Sequence, residues 1–189
     1  QTCSFNVVVT DAQLPTISTC PVTREITGCS VSAITGPSYS ATEAISDYST
    51  FSSAMNLGVA SDNCGIVSVT YQDVALGSCP ITVQRTWEIT DASGNSSTCM
   101  QVIHVNESEL AFADPADQTI TGCFTQAQIE TSYNNWVNNI VNNGATGGCN
   151  TEITPTLVEA PDLCGGSVDV EFTAASTCQS ITHTATFTV

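Results

Sequence analysis

Apolar and polar residues alternate over several short stretches of the chain, with the period of a half-buried β-strand. The apolar positions fall in three stretches, at Val67, Val69 and Tyr71, at Ile81, Val83, Trp87 and Ile89, and at Val168, Val170 and Phe172. Turn-forming sequence such as residues 91–95 (DASGN) follows such stretches, and β-branched residues are abundant within them. The pattern predicts a mainly β protein built from short antiparallel strands.

One segment has a helical period instead. Its apolar residues recur every three or four positions, at Tyr133, Trp136, Val137, Ile140 and Val141. Thr131 or Ser132 would cap the start of this helix, and Gly144 would end it. A shorter counterpart is predicted over Asp47–Met55.

Two parts of the chain match one another, which indicates an internal repeat. Residues 27–29 (TGC) recur 94 positions later as residues 121–123, and Cys64 and Cys79 recur 85 positions later as Cys149 and Cys164. The nine-residue difference falls in a Gly- and Pro-bearing loop at residues 30–40. We therefore predict the last strand of a preceding repeat at 1–11, a first repeat at 12–106 and a second at 107–189. About 90 residues of short strands per repeat predicts tandem immunoglobulin-like β-sandwiches, each with a short helical crossover.

Composition narrows the classes of function. The chain has 18 Asp plus Glu against two Arg and no Lys, for a formal net charge of −16. Nucleic acids and anionic membrane surfaces are excluded as partners, because both bind proteins through Lys and Arg. No apolar run approaches the roughly 20 residues of a membrane span, so we expect no membrane insertion. A secretion signal, if the protein has one, is expected outside this sequence.

Ten cysteines occur without a single CxxC pair. Close pairs of that kind would be expected for metal or redox chemistry in the cytosol. Structural disulfides in an oxidising compartment suit the pattern better than a metal site does. The cysteines thus predict a disulfide-stapled protein that is secreted or exposed at a surface.

Several motifs resemble a known type of repeat. Residues 2–11 (TCSFNVVVTD) and 14–21 (LPTISTCP) resemble the junction between hyalin-repeat (HYR-like) domains. Residues 62–65 (DNCG), 85–95 (RTWEITDASGN), 118–123 (QTITGC) and 132–136 (SYNNW) are similar to repeats in giant surface adhesins of Bacteroidetes, including those of gliding motility.

The resemblance implies an extracellular immunoglobulin-like stalk, exported by type IX secretion and attached to the outer membrane through its parent protein. It implies neighbouring repeats as partners, with polysaccharide or solid surfaces as further candidates. The family motifs are structural, so no catalytic residue is carried over. Ser93 departs from the family, which often has cysteine at that place in the turn.

The cysteine spacings suggest a pairing scheme. Cys64–Cys79 and Cys149–Cys164 keep a separation of 15 residues in both copies, which would suit two local disulfides, with free buried thiols as the alternative. Within the second repeat, Cys123 is then left with Cys178. The second repeat lacks counterparts of both Cys20 and Cys99, which favours Cys20–Cys99 as one bond. On this scheme Cys29 has no partner because of Ser93, and Cys3 has none because its own repeat is absent.

Acidic residues near the predicted loops and linker are candidate calcium ligands, since calcium prefers carboxylate oxygens. They are Asp62, Asp91, Glu107, Glu109, Asp114 and Asp117, with the last four in or beside the linker. No D-x-D-x-D-G loop is present, so a solvated acidic surface is the preferred interpretation and a calcium site is the alternative. We expect no cofactor, and calcium is the single candidate for one.

Catalytic signatures are missing from the sequence. His104 and His183 are the only histidines and do not align between copies, and no GxSxG, HExxH, P-loop or Rossmann motif occurs. We therefore expect a structural stalk rather than an enzyme. The alternative is a module whose loops bind surface polysaccharide or another protein, with Trp87, Trp136, Tyr48 and Tyr133 as a sugar platform unless they pack in the core.

Overall fold

A computed structural model describes residues 3, 4, 6 and 10–189, and the chain divides into two compact units, Gln1–Asn106 and Glu107–Val189. The protein is mainly β, with 41% strand and 14% helix. The predicted last strand of a preceding repeat, at 1–11, lies mostly outside the described residues. That the two units are tandem immunoglobulin-like repeats stays a prediction.

The described residues of the first unit form seven strands, a 3₁₀ turn at Val31–Ala33 and one short helix, α1 at Tyr48–Phe51. Its strands are β1 Thr16–Thr19, β2 Arg24–Thr27, β3 Ala44–Ser46, β4 Val59–Ser61, β5 Ile66–Leu76, β6 Ile81–Asp91 and β7 Ser96–Asn106. Five of them form a sheet in the order β2-β7-β6-β5-β3, and β1 pairs with β4 in a separate ladder. Strand β2 runs parallel to β7, while β5, β6 and β7 are antiparallel neighbours.

Alternation along β6 produces the core of this unit. Every odd-numbered residue from Val83 to Asp91 is buried, and Trp87 is fully enclosed. The Trp87 ring meets Phe51 of α1 edge-on, with the ring centroids 5.5 Å apart. Val67 breaks the expected alternation and is 65% exposed, because the ladder between β5 and β6 shifts register between Ile66 and Ser68.

The second unit contains six strands and a longer helix, α2 at Gln126–Asn143. Its strands are β8 Ala111–Phe112, β9 Gln118–Thr119, β10 Ala145–Thr146, β11 Glu152–Pro155, β12 Ser167–Ala175 and β13 Ser180–Thr188. Four of them form a sheet in the order β11-β12-β13-β9, and β8 pairs with β10. Here β9 runs parallel to β13, and the other neighbours are antiparallel.

Helix α2 packs its apolar face on the four-stranded sheet. The predicted end at Gly144 is confirmed, but the predicted cap at Thr131 or Ser132 is wrong. The helix begins six residues earlier, where Thr125 and Gln128 form a capping box. Ile129 is fully buried and adds a turn to the apolar face, so the face does not start at Tyr133. The shorter predicted helix is reduced to the single turn of α1, capped by the Asp47 carboxylate.

None of the helices in the described part of the chain has the length and apolar character that crossing a membrane requires.

Candidate functional site

The disulfide framework is the most distinctive chemical feature of the structure. Three disulfides are present, and they fit a secreted or extracellular protein. The predicted bond between Cys20 and Cys99 is one of them, with its Cα atoms 5.9 Å apart. Cys20 follows β1 and Cys99 lies in β7, so the bond joins the first described strand of the unit to its last.

The other two disulfides lie one in each unit. Cys29, Cys79, Cys149 and Cys178 are all disulfide-bonded. Cys149 lies beside Cys178, since Thr177 donates its backbone amide to the Cys149 carbonyl at 2.9 Å. This leaves Cys29 and Cys79, both in the first unit, as the remaining bonded pair, which corrects the expectation that Cys29 has no partner.

Equal spacing misassigned the local pairs Cys64–Cys79 and Cys149–Cys164. In the structure Cys64 and Cys164 are free and exposed. Cys64 precedes β5 and Cys79 precedes its antiparallel neighbour β6, so the two cysteines lie at opposite ends of a hairpin 11 residues long. That length is about 36 Å at roughly 3.3 Å per residue, far beyond the reach of a disulfide.

The same reasoning applies to the second unit. The ladder of β11 with β12 places Cys149 near the end of β12 and Cys164 before its start. The predicted pair Cys123–Cys178 is also not formed: Cys123 is free, and Cys178 lies in the turn between β12 and β13. Cys123 follows β9, whose parallel pairing places it at the opposite end of β13. Strand register, which the spacing of cysteines does not reveal, decides each pair.

The four linker candidates for calcium do not meet at one site among the described residues. The Glu107 carboxylate is hydrogen-bonded within the second unit. It accepts hydrogen bonds from the Ser176 hydroxyl at 2.6 Å and the Gln179 amide at 2.9 Å, and also from the backbone amides of Cys149 and Cys178. The Ser176 hydrogen bond is the main cause that lowers the pKa of Glu107. This carboxylate fixes the loops around the disulfide at Cys149 and Cys178.

The other three linker acids are exposed and have separate surroundings. Asp114 lies 3.4 Å from Nδ1 of His183, and Asp117 accepts the backbone amide of Thr186 at 2.7 Å. Glu109 is exposed beside them in sequence. No geometry here gathers these oxygens around one cation.

Asp62 lies in a different cluster, which the structure brings together in the first unit. Potential ligand atoms of Asp11, Asp62 and Cys64 lie within 4.8 Å of one another. The Asp62 carboxylate accepts the Cys64 amide through Oδ1, while its Oδ2 is buried without a hydrogen-bond partner. Hydrogen bonding to Asp11 is the main cause that raises the pKa of the Cys64 thiol. Two carboxylates and a thiol are a donor set that a divalent cation can use.

Asp91 lies near this cluster, but its carboxylate is already hydrogen-bonded within the turn that follows β6. It is 1% exposed and accepts hydrogen bonds from the amides of Ser93 and Asn95. Sequence reasoning named Asp62 and Asp91 but not Asp11. The sequence feature that could have indicated Asp11 as a ligand is its position directly before a proline-bearing junction, ahead of β1.

The aromatic residues mostly pack in the cores. Trp87, Trp136 and Tyr133 are at most 9% exposed, whereas Tyr48 is 37% exposed. They form no sugar platform. The second unit has an open groove of about 520 Å³ between α2 and the segment before β12, lined by Gln126, Glu130, Tyr133, Asn134, Val158, Glu159, Ala160 and Asp162.

Comparison with protein-family models and with curated proteins finds no match to this chain.

Proposed function

We propose that the chain forms structural repeats in the stalk of a large extracellular adhesin, which takes part in surface attachment and gliding motility. The parent protein would be exported by type IX secretion and attached to the outer membrane, with neighbouring repeats as its nearest partners. The repeats would carry force between the cell and a polysaccharide or solid surface without catalysing a reaction.

The Cys20–Cys99 bond is the observation that carries the proposal. A stalk repeat is pulled from both ends, at about residue 11 and at residue 106 in the first unit. Tension entering at the first end reaches Cys20 and crosses the disulfide to Cys99, leaving only the last residues of β7 before Asn106. The bond therefore bypasses the chain between the two cysteines, which has a sequence separation of 79.

Strand pairing also holds the last strand of each unit, which in the first unit extends beyond Cys99. In both units the last strand pairs in parallel with a strand near the start of the unit, β2 with β7 and β9 with β13. When the two ends of such a parallel pair are pulled apart, the force acts along the strands and shears all of the hydrogen bonds between them at the same time. In the second unit, which lacks a counterpart of Cys20–Cys99, this pair lies directly on the path of the force.

Single-molecule pulling on the oxidised chain, held by handles at its two ends, tests the proposal. Extended chain spans about 3.3–3.6 Å per residue, so the bypass hides about 260–280 Å of length. We expect no lengthening event of that size from the first unit. In the variant C20A/C99A, the bond of Cys29 with Cys79 still closes about 50 residues, so about 100 Å should appear. Full reduction should release the whole 260–280 Å.

Cys64→Ala is the matched control, because Cys64 is a free cysteine of the same unit. This variant should extend like the unmodified chain. Release of about 260 Å from the oxidised protein would show that the disulfide does not carry the load, and would overturn the proposal.

A ligand-binding module is the second candidate, favoured by the groove beside α2. Three carboxylates, Glu130, Glu159 and Asp162, line it together with the amides of Gln126 and Asn134. Such polar groups are suited to the hydroxyls of a polysaccharide. Saturable binding on a glycan array that is lost in Asn134→Ala would favour the ligand-binding function. If no glycan binds, the structural stalk remains the favoured function.

A further inference from the structure

The two units arrange their sheets in the same way around their last strand. Four consecutive strands of the first unit's sheet have the order β2-β7-β6-β5, with β3 added beyond β5, and the sheet of the second unit has the order β9-β13-β12-β11. In each unit the last strand is central, with a parallel partner on one side and an antiparallel hairpin partner on the other. Residues that extend from corresponding strands therefore reach corresponding places.

In the first unit these places hold a disulfide-bonded pair. Cys29 lies two residues after β2, and the backbone amide between them, that of Gly28, donates to the Asn106 carbonyl at 2.8 Å. Cys79 lies two residues before β6, whose first residue pairs with Val105. The pair therefore joins the two neighbours of β7 across the end of that strand.

In the second unit the same places hold two free cysteines, Cys123 and Cys164. Pairing of β9 with β13 continues to Ile120, which donates its amide to the Thr188 carbonyl at 3.0 Å. On the other side, Val189 donates to the Gly166 carbonyl at 3.0 Å, which extends the hairpin of β12 with β13 to within two residues of Cys164. Both cysteines therefore lie just beyond the end of β13, Cys123 next to β9 and Cys164 next to β12.

We propose that Cys123 and Cys164 form a fourth disulfide, equivalent to the bond of Cys29 with Cys79. Cys149 and Cys178 are already bonded at the other end of the sheet, so the second unit has no competing partner. Both side chains are exposed, so a disulfide oxidant can reach them.

The two thiols together lose two protons and two electrons as one S–S bond forms. Oxidised glutathione supplies the matching half-reaction, since its own disulfide is reduced to two thiols.

The correspondence also explains why Cys64 stays free. Cys64 corresponds to Cys149 at the 85-residue offset, and the partner position of Cys178 is occupied in the first unit by Ser93. The first unit has thus lost the partner for one bond, while the second unit retains both cysteines of the other.

Thiol counting on the whole chain tests the proposal without reference to function. Alkylation under denaturing conditions before oxidation should label four cysteines, Cys3, Cys64, Cys123 and Cys164. After oxidised glutathione, Cys123 and Cys164 should no longer be labelled, and peptide mapping should show them cross-linked to each other rather than carrying glutathione. Four labelled thiols, or a cross-link of Cys123 to any other cysteine, would overturn the proposal.

Melting curves give a second measurement. Closing this loop of about 40 residues should raise the melting temperature of the second unit by at least about 8 °C. Cys123→Ser and Cys164→Ser should each abolish the rise, whereas the control Cys64→Ser should keep it. A rise that persists in both variants would contradict the pairing even if the thiol count fell.

Discussion

Replacing Asp73 with alanine removes one partner of a fully buried ion pair. The Asp73 carboxylate accepts hydrogen bonds from Nε and Nη2 of Arg85, each at 2.8 Å, and both side chains are shielded from solvent. It also accepts the Ser40 amide at 2.9 Å. The guanidinium lies 4.5 Å from the centre of the Tyr71 ring and 5.6 Å from that of Trp87.

The expected cost follows from desolvation. Without Asp73, the Arg85 charge stays in the core with only the Ser38 carbonyl and the two rings beside it. Breaking such a pair on one side costs about 3–5 kcal/mol, a large part of the roughly 5–15 kcal/mol that stabilises a domain. Replacing both partners with apolar residues of similar volume should cost much less, because no charge remains buried. The double variant D73L/R85M should therefore be more stable than D73A alone.

Urea unfolding measures these free energies in each unit separately. The protein has two tryptophans, Trp87 in the first unit and Trp136 in the second, so a Trp136→Phe background makes fluorescence report on the first unit. Glu88→Ala, next to Trp87 on the opposite face of β6, is the matched control and should change stability by no more than about 0.5 kcal/mol. A cost below about 1 kcal/mol for D73A, or a double variant less stable than D73A, would refute the reasoning.

Two further predictions depend on perturbed pKa values. The Ser176 hydrogen bond and its neighbours lower the pKa of Glu107, so its stabilising contribution is complete above about pH 4.5 and is lost as the pH falls through the lowered folded-state value. Glu107→Gln should lower the melting temperature of the second unit at neutral pH and flatten its acid dependence; an unchanged acid transition would contradict this. Because Asp11 raises the pKa of the Cys64 thiol, Asp11→Asn should speed alkylation of Cys64 at about pH 8 while that of Cys164 stays constant. Equal Cys64 rates in the two proteins would argue against the contact.

The sequence predicted strands and their inward faces well, because alternation is a local property. It predicted the buried apolar positions along β6 but not that the charged residues Arg85 and Asp91 on the same face are buried as well. Their partners, Asp73 on β5 and the turn after β6, are set by the register of the hairpin. Burial of a charge depends on such distant partners, so composition and period give no sign of it.

Disulfide pairing failed for the same physical reason. A separation of 15 residues suggests proximity only if the chain turns back midway, and here it runs through a full strand first. Cys20–Cys99 was predicted by comparing which cysteines the two copies lack, an argument that needs no register. Comparison between copies was thus more informative than spacing within one copy.

The aromatic cores show the same correspondence in three dimensions. Phe51 of α1 meets Trp87 of β6 edge-on in the first unit, with ring centroids 5.5 Å apart and an interplanar angle of 81°. At the 85-residue offset the residues are exchanged: Trp136 of α2 meets Phe172 of β12 at 5.6 Å and 85°. The exchange keeps the summed volume of the pair and its edge-on geometry, which a close-packed core tolerates better than either change alone. Packing therefore supports, independently of the cysteines, the prediction that the two units are copies of one repeat.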